Sequence, residues 1–346
     1  MSARTRELFA QTLRSAAEHF NAGRWPEAEG QARAALNIAP GDPAALNLLA
    51  GAAMESGRYE EAVPLFRRAS TAEPKSPFIH FNLGEAYRRT QGYAQALPCF
   101  LRAAALKPDF AEAVALAGES LHRIGREEEA ERQFQKALGL SPRLPSALHG
   151  MGLLLLERGA PGPAAECLAH GVAATPPGHS LRASLLTNLG HAHLQLGNGL
   201  QGLEAFKQAV QSRPDNAELW RLLATSLRDT RTAPEGEDFR EILLQLFNRP
   251  DINPRDLATA AVAVLQQDED IAELLREIEA TPGDVRSVIE KSAAVAARLV
   301  ADPLFRSLLI NAPIPNASVE LLVVQLRSDL LGLVEASPES RPGELG

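Results

Sequence analysis

Phe, Leu and Ala recur along most of this chain at helical spacing, in paired stretches separated by short turns. No run alternates apolar and polar residues with the period of two that a strand needs. The punctuation is periodic. Pro40, Pro74, Pro108, Pro142 and Pro176 stand 34 residues apart, and Pro214 follows after 38. Eight residues before each proline comes Phe66, Phe100, Phe134 or Phe206, replaced by Ala32 and Leu168 in two units. Small residues fall five before it (Ala35, Ala69, Ala103, Ala137, Gly171, Ala209) and twelve before it (Ala28, Ala62, Ala96, Ala130, Ala164, Gly202). Between the two helices of each unit stands Gly23, Gly57, Gly125, Gly159 or Gly197, with Gln91 in that place in the third unit.

Each feature has a physical role in a stack of helix pairs. Small side chains let two helix axes approach closely. Glycine accepts the positive φ of a tight turn. Proline ends the second helix, because the residue before it is pushed out of the helical region. One pair cannot bury its apolar face alone, so neighbouring pairs must stack. Pro64 and Pro98 lie near the start of a second helix, where a missing N–H is tolerated.

The segments LGEAYRRTQGYAQALPCFLRAAALKP (83–108) and LAGESLHRIGREEEAERQFQKALGLSP (116–142) resemble the tetratricopeptide repeat, a 34-residue helix-turn-helix unit. The resemblance spans about 9–42, 43–76, 77–110, 111–144, 145–178 and 183–216, with a partial seventh unit from 217. It implies an all-α fold, a right-handed α-solenoid over 1–230 followed by a small helical C-terminal domain. The extra residues of PPGHSLRA (176–183) lengthen a loop or a helix end.

After Trp220, Leu223, Ala224 and Leu227 the repeat degenerates into RDTRTAPEGED (228–238), then EDFREILLQLF (237–247). Asn253-Pro254 reads as an N-cap opening a helix through about Leu265, with further helices at about 268–279, 284–300, 303–310 and 316–335. The domain expected here spans 231–336, and 337–346 reads as a disordered tail. Segment 300–336 also resembles, more weakly, the helical region that precedes the catalytic domain of bacterial tetratricopeptide-containing methyltransferases.

Charge separates these parts. Residues 1–230 hold 24 basic and 23 acidic side chains, and 231–346 hold 11 and 20. An excess of acid is a poor match to nucleic acid, whose binding needs Lys and Arg against phosphates. The N-terminal segment has three arginines but no apolar core, so no secretory signal is expected. The longest uncharged run, 183–203, is too polar to span a membrane, so a cytoplasmic protein is expected.

Little in the sequence suggests catalysis. There is no P-loop, no GxSxG and no HExxH. His191 and His193 are two apart on a helix and face apart. Cys99 and Cys167 occupy equivalent places two repeats apart, which does not suit a disulfide. No cofactor or metal is expected. The repeat family instead presents the first helix of each unit (helix A) to a concave groove. Mapped here, the groove offers Phe78, Phe81, Asn82, Glu85 and Arg88; Glu119 and His122; His149, Leu153 and Leu156; Asn188 and His191; and Arg221 and Arg228. Arg88, Arg221 and Arg228 are suited to acidic groups on a partner. The bland alternative is that Phe78 and Phe81 only pack between units. The positions of a carboxylate clamp hold Phe81/Glu85 and Ala115/Glu119, which do not suit one. An asparagine ladder at Asn82 and Asn188 is interrupted by Leu48, Leu116, Gly150 and Leu222.

The resulting expectation is a non-catalytic scaffold that binds a partner protein or peptide in its groove. The alternative is the substrate-recruiting N-terminal region of a methyltransferase or glycosyltransferase whose catalytic domain is absent from this chain. Self-association through the terminal helices is a third reading.

Overall fold

A computed structural model describes residues 1–228, 236–311 and 316–325, all in helices, turns and loops, with no strand among them. The expected 337–346 tail and the 326–335 end of the last helix lie outside the described residues. The chain forms two compact units, Met1–Leu181 and Arg182–Gly346.

The first unit contains five helix pairs. They are α1 (Ala3–Asn21) with α2 (Trp25–Ile38), α3 (Pro43–Glu55) with α4 (Tyr59–Ala72), α5 (Pro77–Arg89) with α6 (Tyr93–Leu106), α7 (Ala111–Arg123) with α8 (Glu127–Leu140), and α9 (Pro145–Glu157) with α10 (Pro161–Ala174). Helix α1 begins six residues before the first repeat boundary. Ser2 caps it by accepting a hydrogen bond from the Thr5 amide, and no breaker precedes residue 9. Pro64 and Pro98 sit in the second turn of α4 and α6, deeper than the sequence suggested. Both are exposed, so water can serve the carbonyl each leaves without a donor.

The turn residues behave as the pattern requires. Gly23, Gly57, Gly125, Gly159 and Gly197 have φ between 69° and 79°, and Gln91 is the one described non-glycine residue with positive φ, at 60°. Within each pair the alanines twelve and five residues before the proline are fully buried. A second set of small residues completes the packing. Gly84, Gly118 and Gly152 lie under Phe100, Phe134 and Leu168, and a Cβ at Gly84 would come within 2.7 Å of the Phe100 ring. Phe134 also closes on Gly150 of the next repeat, where a Cβ would be 2.3 Å away. One aromatic ring therefore fastens α8 to its own α7 and to the following α9.

The second unit opens with the pair α11 (Arg182–Gln195) and α12 (Gly199–Ser212), where Gly190 lies under Phe206 in the same way. The inserted residues form turns ahead of α11, so the insertion lengthens a loop. Helix α13 (Ala217–Leu227) follows, and then α14 (Glu237–Phe247), which packs on α19 (Pro303–Asn311) and α15 (Ala258–Leu265). Asn253 does cap, but it opens a short 3-10 turn, Pro254–Asp256, before α15 begins. Helix α16 (Glu269–Ala280) is capped by Asp268, whose carboxylate accepts from the amides of Asp270 and Ile271. The helix expected over 284–300 is two, α17 (Val285–Lys291) and α18 (Ala293–Ala301), broken at Ser292. Asp302 then caps α19, and a final helix, α20, occupies 317–325. A single buried cluster runs from Leu203 to Val323 and includes Trp220, Phe239 and Phe305.

Candidate partner-binding face

Consecutive A helices of the first unit are joined side by side through polar residues of one face. The Asn82 amide on α5 donates to Asn47 Oδ1 on α3 at 3.0 Å. Arg88 on α5 reaches Glu119 on α7 at 3.3 Å. Ser146 on α9 donates to Glu112 on α7 at 2.9 Å, and His122 Nε2 lies 2.6 Å from Glu157 Oε2. The groove register read from the sequence thus brings Asn82, Glu85, Arg88, Glu119 and His122 onto one surface of α5 and α7. His149, Leu153 and Leu156 occupy the corresponding stretch of α9, all half-buried.

The two phenylalanines of α5 differ. Phe81 is half-buried, stacked on Phe110 at 4.8 Å and edge-on to Phe100 at 5.7 Å. It packs between repeats. Phe78 is 56% exposed. Its ring lies 5.7 Å from that of Phe110, and Lys107 Nζ stands 5.3 Å from both rings. Phe78 and Phe110 thus form a shelf with one exposed ring and one half-buried ring.

The charges are the larger surprise. Arg88 makes two hydrogen bonds to Glu85, at 2.5 and 2.9 Å, besides its contact with Glu119. The bond to Glu85 raises its already high pKa. Burial lifts the pKa of Glu112 and the charges of Glu85 and Glu119 add to the rise, while the Ser146 hydrogen bond and the charge of Arg88 oppose it. Three carboxylates therefore cluster around Arg88, with Arg89 approaching Glu85 only to 3.8 Å. In the second unit Arg221 lies 3.5 Å from Asp251, and Arg228 lies 2.7 Å from Asp256. Each arginine expected to meet a partner's acid already has an acidic neighbour in this chain. Burial also lowers the pKa of His149 and His191, and His191 sits edge-on to Phe206 at 5.2 Å. Asn188 is half-buried on α11.

Sequence reasoning left Phe110, Lys107, Asn47 and Glu157 out of the site. Phe110 carried a readable signal. It occupies the residue before helix A, where Asp42 and Asn216 cap α3 and α13, and it makes no side-chain capping bond. An aromatic residue in a position that favours Asp, Asn or Ser forgoes that bond. Burial pushes the thiols of Cys99 and Cys167 up to about 11, which suits unreactive packing residues. Among the described residues no group of three His, Cys, Asp or Glu could hold a metal ion, and no helix is long and apolar enough to cross a membrane.

Known proteins agree with this architecture. Two family models described as tetratricopeptide repeat match the chain, one over residues 19–80 and the other over 81–145 and 187–247. The chain belongs to the tetratricopeptide repeat family. It is similar in fold to the structure of Pseudomonas aeruginosa pilF, at 18% identity and a TM-score of 0.53, over 64% of this chain and 98% of that one. The structure of the APC/C hetero-tetramer Cut9-Hcn1 matches with a TM-score of 0.57 at 15% identity, covering 73% of this chain and 47% of that one. No curated protein sequence matches the chain. The repeats mark it as a protein–protein interaction scaffold.

Proposed function

We propose that this non-catalytic scaffold holds a peptide or helix of its partner on the helix-A face of repeats 3 to 5, built by α5, α7 and α9. The observation that carries this reading is the Phe78–Phe110 shelf beside polar side chains that link one A helix to the next. Repeat stacking fixes the backbone under these residues, and a preorganised surface binds with little ordering cost. A half-exposed aromatic ring adds apolar area that leaves water only when a partner covers it. The methyltransferase-recruiting alternative has no observation among the described residues in its favour.

The test compares the full chain with Phe78→Ala in affinity capture read by quantitative mass spectrometry. Phe78 is exposed, so its truncation leaves the repeat core intact, which truncation of Phe81 would not. Proteins retained by the wild type should drop about tenfold on the variant, as for loss of an aromatic anchor. Identical capture by both would reject this face as the binding surface.

A further inference from the structure

The face also indicates the chemistry of its occupant. Phe78, Phe81, Glu85 and Arg88 follow one another along α5 at spacings of three, four and three residues, so they form one stripe. Glu112, at the start of α7, lies close enough to Glu85, Arg88 and Glu119 to feel their charges. The aromatic shelf and the carboxylate cluster are therefore adjacent parts of one surface. Within that cluster Glu85, Glu112 and Glu119 surround Arg88, which is committed to Glu85 and Glu119, and Arg89 comes only within 3.8 Å of Glu85. Glu112 accepts a hydrogen bond from the Ser146 hydroxyl and is partly withdrawn from water. A carboxylate held this way gains from a cation brought by a ligand.

Deepening the proposed function and resting on it, we propose that the occupant is a basic, apolar peptide segment of a partner protein. An aliphatic or aromatic side chain covers Phe78 and Phe110, and a lysine or arginine neighbouring it enters the cluster of Glu85, Glu112 and Glu119. Charge complementarity selects this occupant. A phosphate-rich or acidic ligand would meet three carboxylates. The chain's own last stretch, 326–346, carries four acidic and two basic residues, the wrong balance for this face. Lys107, with its Nζ 5.3 Å from both rings of the shelf, sets the direction: the apolar residue of the peptide lies toward Lys107 and its cation toward Glu112.

The experiment is selection of a random short-peptide library, displayed on phage, against the immobilised full chain, counter-selected on Phe78→Ala. Sequences that require Phe78 should be enriched in Lys or Arg next to Leu, Ile or Phe. Their affinity should fall about fivefold on Glu112→Gln and fall further as salt is raised. Phe78-dependent peptides that are acidic or uncharged, or whose binding ignores Glu112→Gln, overturn the basic occupant while leaving the face itself as a binding surface. If no selected peptide depends on Phe78, the proposed function and this inference fall together. Concentration-dependent dimerisation abolished by Glu112→Gln would instead assign the face to a second copy and overturn the separate partner.

Discussion

The five helix pairs of Met1–Leu181 and the helices after Gly236 reach burial by different routes. In the third and fourth pairs a large ring is seated on a glycine of helix A, Phe100 on Gly84 and Phe134 on Gly118, and in the fifth Leu168 is seated on Gly152. The buried residues there divide into local clusters, among them one around Phe66 and another around Phe100 and Phe134. After Gly236, Phe239, Leu257, Leu274, Phe305 and Leu322 belong to one cluster with no period. A repetitive core confines each contribution to neighbouring repeats, whereas a shared core couples distant segments.

The largest effect expected from this difference is on core truncation. Phe134→Ala and Phe305→Ala should each cost about 3–5 kcal/mol in chemical denaturation. Hydrogen exchange should separate them. Loss of protection should centre on α7, α8 and α9 for Phe134→Ala and extend from α14 to α20 for Phe305→Ala. Equal spread in both would erase the distinction. Next in size, Gly84→Ala should lower stability by about 1–3 kcal/mol, because the added Cβ must displace the Phe100 ring. Gly57→Ala meets no atom within 4 Å, so any loss there reflects its φ of 75° alone. Smaller and opposite in sign, Gln91→Gly should raise stability by about 0.5–1 kcal/mol by relieving a non-glycine left-handed turn, less what glycine adds to the unfolded chain's freedom. A melting-temperature series would show it.

How much of this the sequence disclosed follows the same division. The proline period of 34 residues placed five helix pairs and their turns, because each local signal repeats and reinforces the others. Gly84, Gly118 and Gly152 recur with that period too, with Gly190 following after 38 as Pro214 does, and their role under Phe100, Phe134, Leu168 and Phe206 has the same regularity. The break at Ser292 was not, since neither proline nor glycine marks it. At the candidate face the positions came from the repeat register, but the charge balance did not. Arg88, Arg221 and Arg228 pair with Glu119, Asp251 and Asp256 on other elements, roughly one repeat further along, and spacing alone does not name such partners.

Glu112 provides the subtlest test, and one that links stability to binding. Its pKa in the folded chain is raised by burial. Ionising it in the fold is therefore unfavourable. That penalty is absent below the unfolded-state pKa, grows as pH rises toward the folded pKa, and is fully present above it. Glu112→Gln should make the chain more stable at neutral pH, and the gain should vanish in acid below the usual glutamate range. A variant less stable than wild type at neutral pH would remove Glu112 from the set of residues held at a stability cost.

The most direct measurement of the central claim is hydrogen exchange of the full chain with and without a saturating Phe78-dependent peptide. Added protection confined to α5, α7 and α9, and lost with Phe78→Ala, is the expected result. Protection falling instead on α4, α6 and α8, or on α16 to α20, would contradict the assignment of the helix-A face.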